Sequence, residues 1–119
     1  MKVLSLQVTG AEKKKNPLLQ IEVADSFWRR FFSLMGRKKL GKGTGLLIAP
    51  CNSIHMCFMR FKIDAVYLDK NYRVLKTVEN IHPWIGFSGC LQAWAVVELP
   101  AGEINRLGIE KNMVFSPVD

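Results

Sequence analysis

Three side chains that can bind soft metals or transfer protons alternate along one short segment. His55, Cys57 and Met59 share one face if the segment is a strand, because strand side chains alternate with a period of two. With Cys90 and His82 they could bind copper or zinc. The spacing matches no known zinc motif, and cysteine and methionine are ordinary core residues. We therefore predict no metal site and no cofactor.

Two carboxylates in apolar surroundings are the candidates for acid–base chemistry. Asp64 follows an apolar run, and Glu98 lies between two apolar neighbours. Either carboxylate needs a hydrogen-bonded partner if it is buried. Combined with His55 they would form a catalytic site. The alternative is that both carboxylates have structural roles. Glu98 would then face water on an antiparallel sheet or pair with Arg60 or Lys62. Structural roles are the favoured interpretation, because nothing in the sequence brings the three together.

A tryptophan beside a proline is the candidate for ligand stacking. Trp84 follows His82 and Pro83 in a glycine-bounded segment that is typical of a loop. The competing interpretation is that Trp84 plugs the open end of a small barrel. Met59 and Trp84 are our predicted ligand contacts. A serine nucleophile is disfavoured, because no serine has the Gly-x-Ser-x-Gly context.

Short β-prone segments dominate the elements that must position these residues. One amphipathic helix is expected over residues 27–35, with an aromatic stripe on one face and a C-terminal glycine, Gly36. A turn or two of helix is expected over 103–107, and 65–78 is expected to be a hairpin. The remaining strand-like segments are 3–8, 18–23, 46–49, 54–61, 90–99 and 113–116, with a loop over 81–89.

Strands do not alternate with helices, which disfavours a doubly wound sheet. The pattern predicts a mainly β fold with one or two short helices, either an antiparallel sandwich or a partly closed barrel. The helix over 27–35 would cover one opening or one sheet face. At 119 residues with 49% hydrophobic residues, the chain is expected to be a single domain over 1–119.

Three ordered motifs carry a family resemblance. They are Phe32–Arg37 (FSLMGR) with Gly45–Leu47 (GLL), then Ile54–Asp64 (IHMCFMRFKID), and finally Val97–Gly102 (VELPAG). They resemble the motifs of domain-of-unknown-function family 192, over roughly residues 25–115. The resemblance implies a compact, mainly β domain that is jelly-roll-like or barrel-like. It implies no established activity. Ser33 stands where the family usually has glycine.

The excess of positive over negative charge lies in the first part of the chain. Residues 1–45 carry ten Lys and Arg against three Asp and Glu, whereas residues 46–119 carry seven of each. A weak, salt-sensitive attraction to polyanions follows, and we predict no specific nucleic-acid binding. The lysines and arginines otherwise serve solubility.

The three cysteines are too few for a disulfide framework, and the N-terminus lacks the apolar stretch of a signal peptide. A cytoplasmic location is therefore expected, with no membrane span and a monomer as the default.

The sequence favours a non-enzymatic module that binds a small molecule or a protein, since no recognisable catalytic or cofactor motif is present. Whether the protein is an enzyme stays open, with the balance towards no. The alternative is an enzyme of unknown class that uses His55 and Asp64. Weak polyanion binding through the basic N-terminal half is the third hypothesis.

Overall fold

A computed structural model describes residues 2–10, 17–24, 42–49, 53–55, 62–82 and 87–118. Strands dominate these ranges, as the sequence predicts. The elements are β1 Lys2–Thr9, β2 Leu18–Ala24, β3 Thr44–Ile48, β4 Ser53–His55, β5 Ile63–Leu68, β6 Val74–Ile81, β7 Phe87–Gly89, β8 Ala95–Pro100, α1 Glu103–Leu107 and β9 Val114–Pro117. The helix predicted over 27–35 lies outside the described residues.

Seven strands form one curled sheet in the order β6-β5-β8-β3-β2-β1-β9, and β4 pairs with β7 in a separate two-stranded ribbon. Strands β2 and β3 run parallel, and the other pairings between strands are antiparallel. The sheet is therefore mixed, while the predicted partly closed barrel is confirmed.

The two edge strands of the curled sheet approach each other at one point. An antiparallel bridge joins Arg73, just before β6, to Val114 of β9. Beside it, the Val74 amide donates to the Met113 carbonyl at 2.7 Å, and the Asn112 amide donates to the Val74 carbonyl at 2.8 Å. These bonds pin the sheet as a half-barrel instead of leaving both edges open.

The inside of the half-barrel is aliphatic. Side chains from β1, β2, β3, β5, β6, β8 and β9 meet there with Ile104 of α1 and with Ile109, which follows α1. Each fully buried aliphatic or aromatic side chain contributes about 1.5–3 kcal/mol. The buried members of this interior core are Leu6, Val8, Leu19, Ile21, Leu47, Val66, Leu68, Val74, Ala95, Val97, Leu99, Ile104, Ile109, Met113 and Phe115.

Part of the outside of the half-barrel is also buried. Strands β5 and β8 are buried on both faces, and a second apolar cluster lies outside β3, β5, β6 and β8. We call this surface the covered outer face; its buried apolar members are Leu46, Ile48, Ile63, Ala65, Tyr67, Ile81 and Val96. The ribbon is attached there, because the Tyr67 and Ser88 hydroxyls are 2.5 Å apart.

Several boundaries differ from the predicted ones. The expected strand over 90–99 begins only at Ala95, because a turn precedes it in which the Ala93 amide donates to the Cys90 carbonyl at 2.9 Å. The expected loop over 81–89 contains β7, since Phe87–Gly89 pairs with β4. The predicted 65–78 hairpin and the helical turn at 103–107 are present. The Asp69 carboxylate stabilises the hairpin turn by accepting the amides of Asn71 and Arg73.

Candidate functional site

The curled sheet brings together three motif segments that are far apart in the sequence. Gly45–Leu47 lies on β3, Asp64 on β5 and Glu98 on β8, and these are neighbouring strands. In the register, Glu98 pairs with Leu46 on one side and Ala65 on the other. The described parts of these motifs therefore form one patch at the centre of the sheet.

Asp64 is a structural anchor at one end of this patch. It is fully buried. Its Oδ1 accepts the Asn80 amide, and its Oδ2 accepts the amides of Gly102 and Ile104, all at 3.0 Å. Gly102 precedes α1 with φ +94°, and Asn80 has φ +56° in an irregular part of β6. Asp64 thus stabilises a bulge and the start of the helix through three backbone N–H groups.

Asp64 and Glu98 lie on opposite faces of the sheet. Asp64 pairs with Leu99, whose side chain belongs to the interior core. Glu98 pairs with Leu46 and Ala65, which belong to the covered outer face. Successive side chains of a strand point to opposite faces. The two carboxylates therefore do not converge, and Glu98 is fully buried where we considered exposure to water.

The other predicted site residues are only partly described. His55 ends β4 opposite Phe87. Met59, Cys57 and Trp84 lie outside the described residues, and their predicted roles stay predictions. His82 is exposed, and Cys90 is a half-buried free cysteine. Within the described ranges, no group of three or more His, Cys, Asp and Glu residues could hold a metal ion.

The helix α1 closes one end of the half-barrel, which we call the α1 end. Glu103, the first residue of α1, is buried; its carboxylate accepts hydrogen bonds from the Arg106 guanidinium at 2.5 and 2.7 Å and from the Gly43 amide at 2.9 Å. The hydrogen bond from Arg106 is the main cause that lowers the pKa of Glu103. This contact fixes the helix against the start of β3.

The opposite end, which we call the Trp94 end, has a half-buried apolar rim. The pairing registers place the starts of β1, β6 and β8 there, together with the ends of β2, β3 and β5. Five half-buried side chains at this end pack against the interior core: Leu4, Val23, Ala49, Tyr72 and Trp94. Apolar surface at the mouth of a β-barrel is a common location for small-molecule sites.

An aromatic pair is the most distinctive feature of this rim. The rings of Tyr72 and Trp94 have centroids 6.2 Å apart and an interplanar angle of 56°. Tyr72 is held in the hairpin turn with φ +62°, and the Trp94 amide donates to the Leu68 carbonyl at 2.9 Å. The turn and the strand pairing thus hold the backbone at both residues, and the two rings contact each other.

Sequence reasoning named neither member of this pair. Their signals were weak: Tyr72 follows Asp69, Lys70 and Asn71 in a turn, and Trp94 stands at the beginning of a strand. An aromatic residue in a turn, where apolar side chains are uncommon, was the available signal. The pairing of Tyr72 with Trp94 depends on the β5–β8 register, which no local pattern specifies.

Comparison with known families identifies the family of the chain. The family described as "Uncharacterized ACR, COG1430", which is domain-of-unknown-function family 192, matches residues 8–116. The chain belongs to this family. The match confirms the resemblance carried by the three motifs.

Curated relatives of the family come from archaea. A UPF0127 protein of Pyrococcus furiosus is 31% identical over 103 residues, covering 82% of this chain and 86% of that protein. A UPF0127 protein of Thermococcus kodakarensis is 31% identical over 104 residues, covering 82% of this chain. This chain spans 64% of the length of the Thermococcus protein.

Two crystal structures share the family 192 fold of this chain. One is a putative transcription regulator of Sinorhizobium meliloti, with a TM-score of 0.87 and 19% identity over 98% of this chain and 94% of that chain. The other is a protein of unknown function from Novosphingobium aromaticivorans, with a TM-score of 0.83 and 22% identity over 96% and 84%. At these identities the likeness establishes the fold alone.

The motif residues that the structure describes have structural roles in the barrel. A Cβ at Gly45 would lie 2.7 Å from a Leu99 methyl and 2.9 Å from the Glu98 carbonyl, so this position takes no side chain. Gly102 supplies the positive φ and the N–H that Asp64 accepts. The described motif residues Gly45, Asp64 and Gly102 thus build the sheet and hold the start of its helix. In the described part of the chain, no helix is long and apolar enough to cross a membrane.

Proposed function

We propose that the protein is a non-enzymatic binding module whose small-molecule ligand contacts the Trp94 end of the half-barrel. The observation that carries this proposal is the Tyr72–Trp94 pair, which is half-buried, held at its backbone and placed at the end opposite α1. Half-buried aromatic rings offer a ligand a large apolar contact area together with polar groups at the ring edge.

The geometry of the carboxylates supports binding over catalysis. Both oxygens of Asp64 already accept backbone N–H groups, so its lone pairs hold the fold together. The side chain of Glu98 lies on the other side of the sheet. A general acid and base must reach the same substrate. The alternative hypothesis, an enzyme that uses His55 and Asp64, is therefore less well supported, because the Asp64 carboxylate already binds the backbone.

The test is a ligand screen read by NMR. The ¹⁵N-labelled protein is titrated with a panel of amino acids, nucleosides, sugars, aromatic acids and amines. We expect at least one compound to shift both the Trp94 indole N–H signal, assigned with Trp94→Phe, and the Tyr72 amide. Trp94→Ala should weaken binding of that compound at least about tenfold, the equivalent of about 1.4 kcal/mol.

Leu91→Ser is the matched control. Leu91 is 94% exposed in the turn just before Trp94, so it offers apolar surface without a partner ring. Its replacement should leave the affinity unchanged. A panel in which no compound moves the Trp94 and Tyr72 signals would refute the proposal. A bound compound that is insensitive to Trp94→Ala would refute it as well.

A further inference from the structure

The polar groups around the Tyr72–Trp94 pair indicate what kind of ligand it takes, an inference that rests on the proposed function. We infer that the ligand is a small aromatic anion, such as a carboxylate carried on a phenyl-sized ring. The juxtaposition of two aromatic rings in contact with a surplus of hydrogen-bond donors and positive charge at one end of the barrel points to this class.

The rings themselves offer two donors. Within the described part of the chain, neither the Trp94 indole N–H nor the Tyr72 hydroxyl donates to a protein acceptor. Both side chains are half-buried, so a ligand that packs on them displaces water from these groups. A donor that loses water without finding an acceptor carries the full cost of its desolvation. A ligand that carries acceptors avoids this cost.

The charged residues beside Tyr72 also favour a ligand that carries acceptors. Lys70 and Arg73 flank it in the hairpin turn, and both are exposed. Arg73 donates one Nη1 bond, to the Asn112 carbonyl at 3.3 Å, and an arginine has five N–H donors in all. The carboxylate in this turn belongs to Asp69, whose Oδ1 already accepts two backbone amides. The turn therefore has a net charge of +1 and more donors than acceptors.

The ring geometry limits how the ligand packs. A planar group inserted between two rings needs van der Waals contact on both sides, or about 7–8 Å between the rings. The centroids of Tyr72 and Trp94 are 6.2 Å apart and the rings are tilted by 56°. The rings already contact each other, so the ligand lies against their outer surface. A single ring with an acidic group at its edge matches this surface and reaches the donors.

The experiment compares three compounds that share one ring and differ in charge: phenylacetate, 2-phenylethanol and 2-phenylethylamine. Each is titrated into ¹⁵N-labelled wild-type protein at pH 7 and low salt, and the Trp94 indole N–H and Tyr72 amide are followed. We expect phenylacetate to bind at least about fivefold more tightly than phenylethanol, with the amine weakest. The Trp94 indole proton should move downfield, as expected when it donates to a carboxylate.

Two variants identify the source of the preference. Lys70→Gln should reduce the phenylacetate preference about two- to threefold, and Trp94→Phe, which retains a ring without the N–H, should abolish the downfield shift. Lys62→Gln is the matched control, because Lys62 is an exposed lysine at the α1 end. It should change nothing.

Equal or tighter binding of the amine at the Trp94 end would overturn the ligand class and leave the binding module intact. Failure of phenylacetate to bind while another compound of the wider panel binds there would do the same. A wider panel without any hit at this end would refute the binding module itself. The comparison of the three compounds needs no variant, so it stands even if a substitution prevents folding.

Discussion

Replacing Asp64 by asparagine tests whether this carboxylate is an anchor. The substitution preserves size but exchanges one acceptor oxygen for an NH₂ group. Three backbone amides approach the wild-type carboxylate at 3.0 Å, one at Oδ1 and two at Oδ2. The oxygen of an asparagine side chain can accept hydrogen bonds at only one of the two oxygen positions. Its NH₂ group places a donor opposite the backbone N–H at the other position. At least one charge-assisted bond is lost, and the remaining ones become neutral.

The expected magnitude follows from these contacts. Hydrogen bonds to a charged group contribute about 1.5–3 kcal/mol each. Asp64→Asn should therefore lower the free energy of unfolding by about 2–4 kcal/mol, a large part of the about 5–15 kcal/mol of a typical domain. The start of α1 should be affected most, because a five-residue helix has little stability of its own.

Urea denaturation followed by circular dichroism measures the change, and Asp69→Asn is the control. Asp69 also accepts two backbone amides, but it does so through Oδ1 alone and in a half-buried turn. An asparagine oxygen can retain both bonds, so the loss should stay below about 1 kcal/mol. If the two variants lose the same stability within about 0.5 kcal/mol, the anchoring role of Asp64 is wrong.

Three further predictions concern the ends and the core of the fold. Gly45→Ala should lose about 1–3 kcal/mol in urea denaturation, because its Cβ would lie 2.7 Å from a Leu99 methyl and 2.9 Å from a backbone oxygen; an unchanged midpoint would contradict the packing. The Arg106 bond lowers the folded-state pKa of Glu103, so its stabilisation is present above the ordinary carboxyl pKa of about 4.3 and is lost as the pH falls through the lowered value. Glu103→Gln should consequently destabilise the protein at pH 7 and cost less near pH 2; a cost independent of pH would contradict this. Phe31→Ala should lose about 3–5 kcal/mol if the predicted aromatic stripe is buried, and a much smaller loss by chemical denaturation would place the helix at the periphery.

Alternating and continuous apolar patterns predicted the strands well, and tertiary context decided what they left open. The alternation of apolar and polar residues is the same for parallel and antiparallel pairing. The pattern over 18–23 therefore could not show that β2 runs parallel to β3. Glu98 illustrates a second limit. Polar residues between apolar ones usually face water on an antiparallel sheet. The strand β8 is instead central and covered on both faces, so Glu98 is buried.

The candidate site was harder to predict than the fold, because its residues meet only through long-range registers. Side-chain chemistry alone selected the candidate catalytic residues His55, Asp64 and Glu98. The roles of the two carboxylates, however, depend on which face of the sheet each one occupies. Tyr72 and Trp94 are 22 positions apart in the sequence and meet because β5 pairs with both β6 and β8. A sequence pattern records the periodicity of each strand but does not record this pairing.

The described motif residues and the rim at the Trp94 end are under different structural constraints. Gly45, Asp64 and Gly102 are fixed by close packing, three backbone bonds and a positive φ. None of these constraints extends to the Trp94 end, where Tyr72 and Trp94 belong to no motif. Under the proposed function, proteins that share this barrel can therefore bind different ligands through different side chains at this end. A search for the proposed ligand should accordingly begin from the side chains around the aromatic pair, since Gly45, Asp64 and Gly102 are committed to the structure of the barrel.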